Sequence, residues 1–179
     1  MKKLFAIAAM IVATCVFAQA EEKCLAVGDG VAAFNVLDVT GPSAGTKLCY
    51  RCQYGRRPVV SVFAKKMTPE VAALTKEIDN TVGSNTDKKM AAFVVMLTDS
   101  PEVETSLKTV AKDQGIKHTP LTTFEGTTGP AEYKLAADAE VTVMMWVQGK
   151  VAVNKSFKAG ELTKEAIAAS VKDTAKILN

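Results

Sequence analysis

The sequence predicts an α/β domain in which a mixed sheet lies between helices. Three observations predict it. Pro58–Ala64, Ala91–Leu97 and Val141–Val147 are short runs rich in β-branched, aromatic and other apolar residues, the composition of buried strands. The first two lead into helix starts, Thr68-Pro69-Glu70 and Ser100-Pro101-Glu102, each a hydroxyl residue, a proline and an acid. The third turns back at Gln148-Gly149 into Lys150–Phe157, its antiparallel partner. Strand, helix, strand, helix, hairpin and final helix form an α/β order.

Residues 24–57 are rich in glycine and turn formers and hold one strand-like stretch, Val31–Val39. Behind Thr68, the residues Val71, Leu74, Ile78 and Val82 fall at helical spacing. Behind Ser100, Val103, Leu107, Val110 and Ala111 share one face, and Gly115 ends that helix. Leu121–Phe124 reads as a short strand and Gly129–Leu135 as a brief helical turn. Leu162–Leu178 reads as one amphipathic helix, with Ile167, Val171, Thr174 and Leu178 together. The methionines Met90, Met96, Met144 and Met145 and the lone Trp146 read as core.

The start of the chain has the parts of a secretory signal peptide. Met1-Lys2-Lys3 precedes an uncharged, mostly apolar run, Leu4–Ala18, and Ala18-Gln19-Ala20 fits a cleavage site before Glu21-Glu22. The run is too short to span a bilayer comfortably. A lipoprotein-type cut before Cys15 is a second option, disfavoured by Thr14 where a smaller residue normally stands. Residues 1–20 are therefore expected to be a signal peptide and residues 21–179 one exported domain, periplasmic or secreted. Removal of Lys2 and Lys3 takes the formal charge from +3 to +1, that is 20 bases against 19 acids. That balance gives no electrostatic case for nucleic acid or for an anionic membrane. No later segment is long and apolar enough to span a membrane.

The strand Val59–Ala64 running into the helix at Thr68, the hairpin from Val143 to Val151 and the terminal helix after Gly160 together resemble the thioredoxin-like fold. The opening Val27-Gly28-Asp29-Gly30-Val31-Ala32-Ala33-Phe34 is similar to the start of redoxin and peroxiredoxin domains, with Ala32-Ala33 where those carry a proline. The resemblance covers residues 27–178. It implies a reactive cysteine just after the first central strand and a cis-proline before the third. The matching stretches here, Lys65-Lys66-Met67-Thr68 and Asp138-Ala139-Glu140-Val141, contain neither. Peroxide reduction needs an activated cysteine at that helix start, and Thr68 alone does not supply one.

The remaining chemistry-bearing motif is Cys49-Tyr50-Arg51-Cys52, upstream of that strand. A C-x-x-C spacing lets two sulfurs meet across one turn. Lys47, Arg51, Arg56 and Arg57 surround it, and positive charge favours a thiolate. Three readings stand side by side. In the first, Cys49 and Cys52 are a catalytic thiol–disulfide pair acting on protein thiols or disulfides, with Cys49 nearer solvent as attacker and Tyr50 and Tyr54 walling a peptide substrate. In the second, the cysteines form a structural disulfide, Cys49–Cys52 or one of them with Cys24, in a thioredoxin-fold binding protein. In the third, Cys24, Cys49, Cys52 and His118 hold zinc or copper(I). Phosphate-binding glycine loops, a Ser-His-Asp set and metalloprotease motifs are absent from the sequence, so no cofactor is expected.

Overall fold

A computed structural model describes residues 24–178. The expected signal peptide, with Cys15, lies outside them. The elements are β1 (Val36–Asp38), β2 (Lys47–Leu48), α1 (Tyr50–Tyr54), β3 (Val59–Ala64), α2 (Pro69–Ser84), β4 (Ala91–Leu97), α3 (Val103–Gln114) and β5 (Leu121–Phe124). A 3-10 turn at Ala131–Tyr133 follows, then β6 (Val141–Val147), β7 (Lys150–Phe157), α4 (Lys164–Asp173) and α5 (Ala175–Leu178). They build one sheet in the order β2-β1-β5-β4-β3-β6-β7. Strands β3, β4 and β5 are parallel, and β6 runs antiparallel to β3 with Val59 opposite Trp146 and Ala64 opposite Val141. No helix among the described residues is long and apolar enough to cross a membrane.

Every residue of β3 and of β4 is buried, because both faces of these central strands are covered. Side chains alternate between faces, so the two cores differ. Val60, Val62, Ala92, Val94 and Met96 meet Val71, Leu74 and Ile78 of α2, Leu107 of α3 and Ile167 of α4 in an aliphatic layer. Phe63, Phe93, Met144 and Trp146 point the other way, toward Val31, Tyr50 and Tyr133, with Phe34, Tyr54 and Phe124 half-buried around them. That aromatic layer has only α1, the 3-10 turn and the strap of residues 24–34 above it. Wide rings fill a space that a full helix would otherwise cover.

Local signals explain most boundaries. The Thr68 hydroxyl accepts from the Val71 amide at 3.3 Å with Pro69 in the first turn. Its hydrogen bond also holds the Glu70 carboxyl below the usual range. Gly115 ends α3 in the left-handed region, at φ 60°. Ser100, however, does not cap: its amide donates to the Thr98 hydroxyl, and α3 begins at Val103 without a side-chain cap. The strand expected over Val31–Val39 shortens to β1, since Gly28 to Val31 instead bond to the β7 end of the hairpin. The terminal helix is broken at Thr174, whose hydroxyl bonds back to the Val171 carbonyl at 2.7 Å and tightens the turn.

Asp173 clamps this final helix to β7 through Lys155, and it also pairs with Lys176 at 2.9 Å. Burial raises its carboxyl, but the two lysines outweigh that and hold it below the usual carboxylate range. A folded-state value below the unfolded one gives stability that is present above the ordinary value of about 3.9 and lost as pH falls through the lowered one. Asp173→Asn is therefore expected to lower stability at neutral pH and to flatten its decline below about pH 4, measured as urea midpoints across the acid range.

Candidate functional site

The Cys49–Cys52 pair sits on α1, a five-residue helix that the sequence conceals, because it is too short to show a period. The legible signal was the Tyr50/Tyr54 pair at i,i+4 followed by Gly55, which closes the helix at φ 58°. Tyr50 does not wall a substrate groove. Tyr50 is fully buried, its ring stacked on Phe93 at 5.5 Å, and Tyr54 lies half-buried beside it at 5.2 Å.

Three anchors fix the helix. The Tyr50 hydroxyl donates to the buried Asp38 carboxyl at 2.8 Å, which also accepts from the amides of Gly41 at 2.7 Å and Ser43 at 2.8 Å. Burial, then the Asp38 hydrogen bond, push the Tyr50 phenol far above its ordinary range, so it remains a donor at physiological pH. Arg51 Nε donates to the Val31 carbonyl at 3.0 Å, tying α1 to the N-terminal strap. Arg57 lies over the Tyr54 ring at 5.2 Å and donates to the Lys89 carbonyl at 2.6 Å.

On this platform the two sulfurs are joined, with S–S 2.14 Å and Cα–Cα 5.2 Å. Cys49 is the N-cap, and its sulfur accepts from the Cys52 amide at 3.1 Å. Cys52 is exposed and Cys49 half-buried. This reverses the solvent order expected from the sequence: Leu48 and the buried Tyr50 flank Cys49 and draw it inward, while Cys52 lies on the outer side of the helix.

The four candidate metal ligands are not gathered. Two sulfurs are spent on the disulfide. Cys24 is an unpaired thiol on the strap, whose next residue, Leu25, accepts from Asn154 of β7. His118 is exposed and packs against Gly83 of α2. Among the described residues no group of three or more His, Cys, Asp or Glu side chains is placed to hold a metal ion. The separation also leaves Cys24 bonded to neither Cys49 nor Cys52.

The disulfide helix and the β3–α2 turn lie at opposite ends of β3. Arg56 accepts from Gln148 at the hairpin tip, and Tyr54 donates to Ala92 near the start of β4. The turn Lys65–Thr68 is one strand length away, about 17–20 Å for six residues. There Lys65 donates to the Ala137 carbonyl at 2.8 Å, beside a cavity of about 180 Å³ lined by Phe63, Leu97, Leu135 and Ala139. Among the described residues no peptide bond is cis.

Solved structures share this architecture. A Bacteroides thetaiotaomicron protein proposed as a protein disulfide isomerase superposes with a TM-score of 0.65 at 16% identity, over 86% of this chain and 91% of that one. The thioredoxin domain of a thiol-disulfide oxidoreductase from Bacteroides vulgatus gives 0.62 at 13%, over 87% and 99%. Peroxidoxin BcpB from Mycobacterium tuberculosis gives 0.60 at 18%, over 87% and 99%. No protein-family model and no curated protein matches the sequence. The strand order and these superpositions together give the chain a thioredoxin-like fold, with its cysteine pair on α1.

Proposed function

We propose that this chain is an exported thiol–disulfide exchange protein that works through Cys49 and Cys52 on α1. The observation that carries the reading is a disulfide between an exposed residue, Cys52, and a half-buried one, Cys49, whose sulfur already accepts an amide hydrogen bond. A partner thiolate attacks Cys52 Sγ. A new S–S bond forms there, the Cys49–Cys52 bond breaks, and the electron pair leaves on Cys49 Sγ. The Cys52 amide and the surrounding bases stabilise that leaving thiolate. A second partner thiolate then attacks the partner sulfur of the mixed disulfide, releasing the oxidised partner and Cys52 as thiolate. Two electrons have passed to the pair, and reduction of a partner is the same path reversed.

The anchoring of α1 argues against a purely structural staple. Tyr50, Arg51 and Tyr54 hold the helix without the sulfurs. Closing so short a loop contributes only about 2 kcal/mol on the chain-entropy model. The test is a titration of the mature protein against a dithiol redox buffer, read by alkylation and mass. The expected result is full equilibration within minutes. A pair that stays oxidised after hours in excess dithiol overturns the reading.

The site has one structural dependence outside α1. Gly149 has φ 75°, and a Cβ there lies 3.0 Å from Arg51 Nη2. Gly149→Ala is expected to cost about 1–2 kcal/mol through strained backbone and a displaced Arg51, measured as a urea midpoint.

A further inference from the structure

The charge around the disulfide is segregated from the rest of the chain. Between Asp38 and Pro58, the stretch that carries the disulfide, the sequence contains no Asp or Glu, yet it contains Lys47, Arg51, Arg56 and Arg57. The chain as a whole is nearly balanced, at 22 bases and 19 acids. Asp38 itself is fully buried and spent on Tyr50 and two amides. Arg56, four residues after Cys52 and just beyond the end of α1, is exposed.

A second observation extends this surface. A hollow of about 350 Å³ opens at the end of α1, with Tyr54, Arg57, Thr86, Lys89 and His118 in its wall and no carboxylate among its lining residues. These bases come from separate elements: Arg57 from the α1–β3 link, Lys89 from the α2–β4 link, and His118 from the segment before β5. The acids nearby are engaged or set aside. Glu125 pairs with Lys47 at 3.7 Å, and buried Asp79 accepts from the Lys117 and His118 amides. Asp87 is exposed in the loop before Lys89 and does not line the hollow. The C-terminal end of α2 also approaches, but Asn85 donates to the carbonyls of Thr81 and Val82 there.

We infer that the partner of the Cys49–Cys52 disulfide is anionic: a thiol or disulfide whose sulfur is flanked by carboxylates, as in an acidic peptide segment. The inference rests on the exchange reading above and adds the substrate class to it. Cations on the segment that carries Cys52 and in the hollow at the end of α1 raise the local concentration of an anionic partner thiolate and favour the Cys49 thiolate that leaves. A cationic partner meets the opposite field.

The test uses three thiols of similar size: 3-mercaptopropanoate, 2-mercaptoethanol and cysteamine, which are anionic, neutral and cationic beside the sulfur. Each reduces the oxidised mature protein. Each rate is divided by that thiol's rate with 2-hydroxyethyl disulfide, which removes intrinsic reactivity. At about 10 mM ionic strength the normalised anionic rate is expected to exceed the cationic one about tenfold, and the two should converge near 0.5 M salt as screening tightens. The double variant Arg56→Glu, Lys89→Glu is expected to bring the ratio to parity or below at low salt. Equal normalised rates at low salt, or a ratio that salt does not move, overturn this inference alone. No exchange with any of the three thiols removes both the inference and the reading beneath it.

Discussion

Cys52→Ser is expected to abolish exchange, because it removes the exposed sulfur at which the mixed disulfide forms. Cys49→Ser is expected to behave differently. Cys52 keeps its exposure and still joins a partner, but no second sulfur resolves the bond, so the adduct accumulates. Non-reducing mass measurement of both variants after incubation with a thiol-bearing peptide disulfide distinguishes them. Adduct mapped by digestion to Cys52 in Cys49→Ser, and none mapped to Cys49 in Cys52→Ser, both on a Cys24→Ser background, supports the order of attack read from burial. The reverse pattern means that Cys49 is the first sulfur. Turnover retained in both variants ends the exchange reading. Stability adds an independent check. Both variants should lose no more than about 2 kcal/mol, since the ring is small. A much larger loss makes the disulfide a staple.

Asp38→Ala carries the largest expected cost in stability. Three donors converge on that carboxyl: the Tyr50 hydroxyl and the amides of Gly41 and Ser43. Truncation leaves them unpaired in a buried setting at about 1–3 kcal/mol each, partly relieved by water, so a loss of about 3–5 kcal/mol is expected. Tyr50→Phe removes one donor and should cost about 1–2 kcal/mol. Gly41→Ala attacks the same lock sterically, because its Cβ falls within 2.6–2.7 Å of both Asp38 oxygens and against the Tyr50 hydroxyl. Urea midpoints measure all three. If Asp38→Ala costs under 1 kcal/mol, the lock is not what holds α1 and the anchoring argument against a structural disulfide fails with it.

The sequence carried most of the layout and little of the site. Strands β3, β4 and β6 were legible because burial on both faces demands continuous β-branched and aromatic runs, and α2 because Thr68-Pro69 states its start chemically. The core roles of Met90, Met96, Met144, Met145 and Trp146 followed from their positions on or beside strands. Helix α1 was missed because five residues contain barely one period. The inward turn of Tyr50 depends on Asp38, twelve residues earlier, and on Phe93, in another strand. No local pattern encodes such a meeting. The order of solvent access at the two sulfurs was misjudged for the same reason. The isolation of His118 from the cysteines is likewise a property of topology, which brings the segment before β5 to the Tyr54 end of α1 and not to the Cys49 cap.

The two unlike layers on the sheet have a consequence for the order in which the protein assembles. The aliphatic layer is centred on β3, α2, β4, α3 and β5, consecutive in the chain, and is completed by Val143 and Met145 of β6, Val153 of β7, Ile167 of α4 and Ile177 of α5. The aromatic layer closes only when the strap reaches far along the sequence: Tyr133 donates to Ala32, Lys150 to Gly28 and Asn154 to Leu25, over 101, 122 and 129 residues. Contacts at such separation pay their loop entropy late. The consecutive unit is thus expected to nucleate first and the strap to dock last, bringing the Val31 carbonyl to Arg51 only then. Amide exchange should show the strap opening at lower free energy than β3 and β4. The sulfur pair would then gain its final orientation in the last step of folding, after the chain that carries it is otherwise complete.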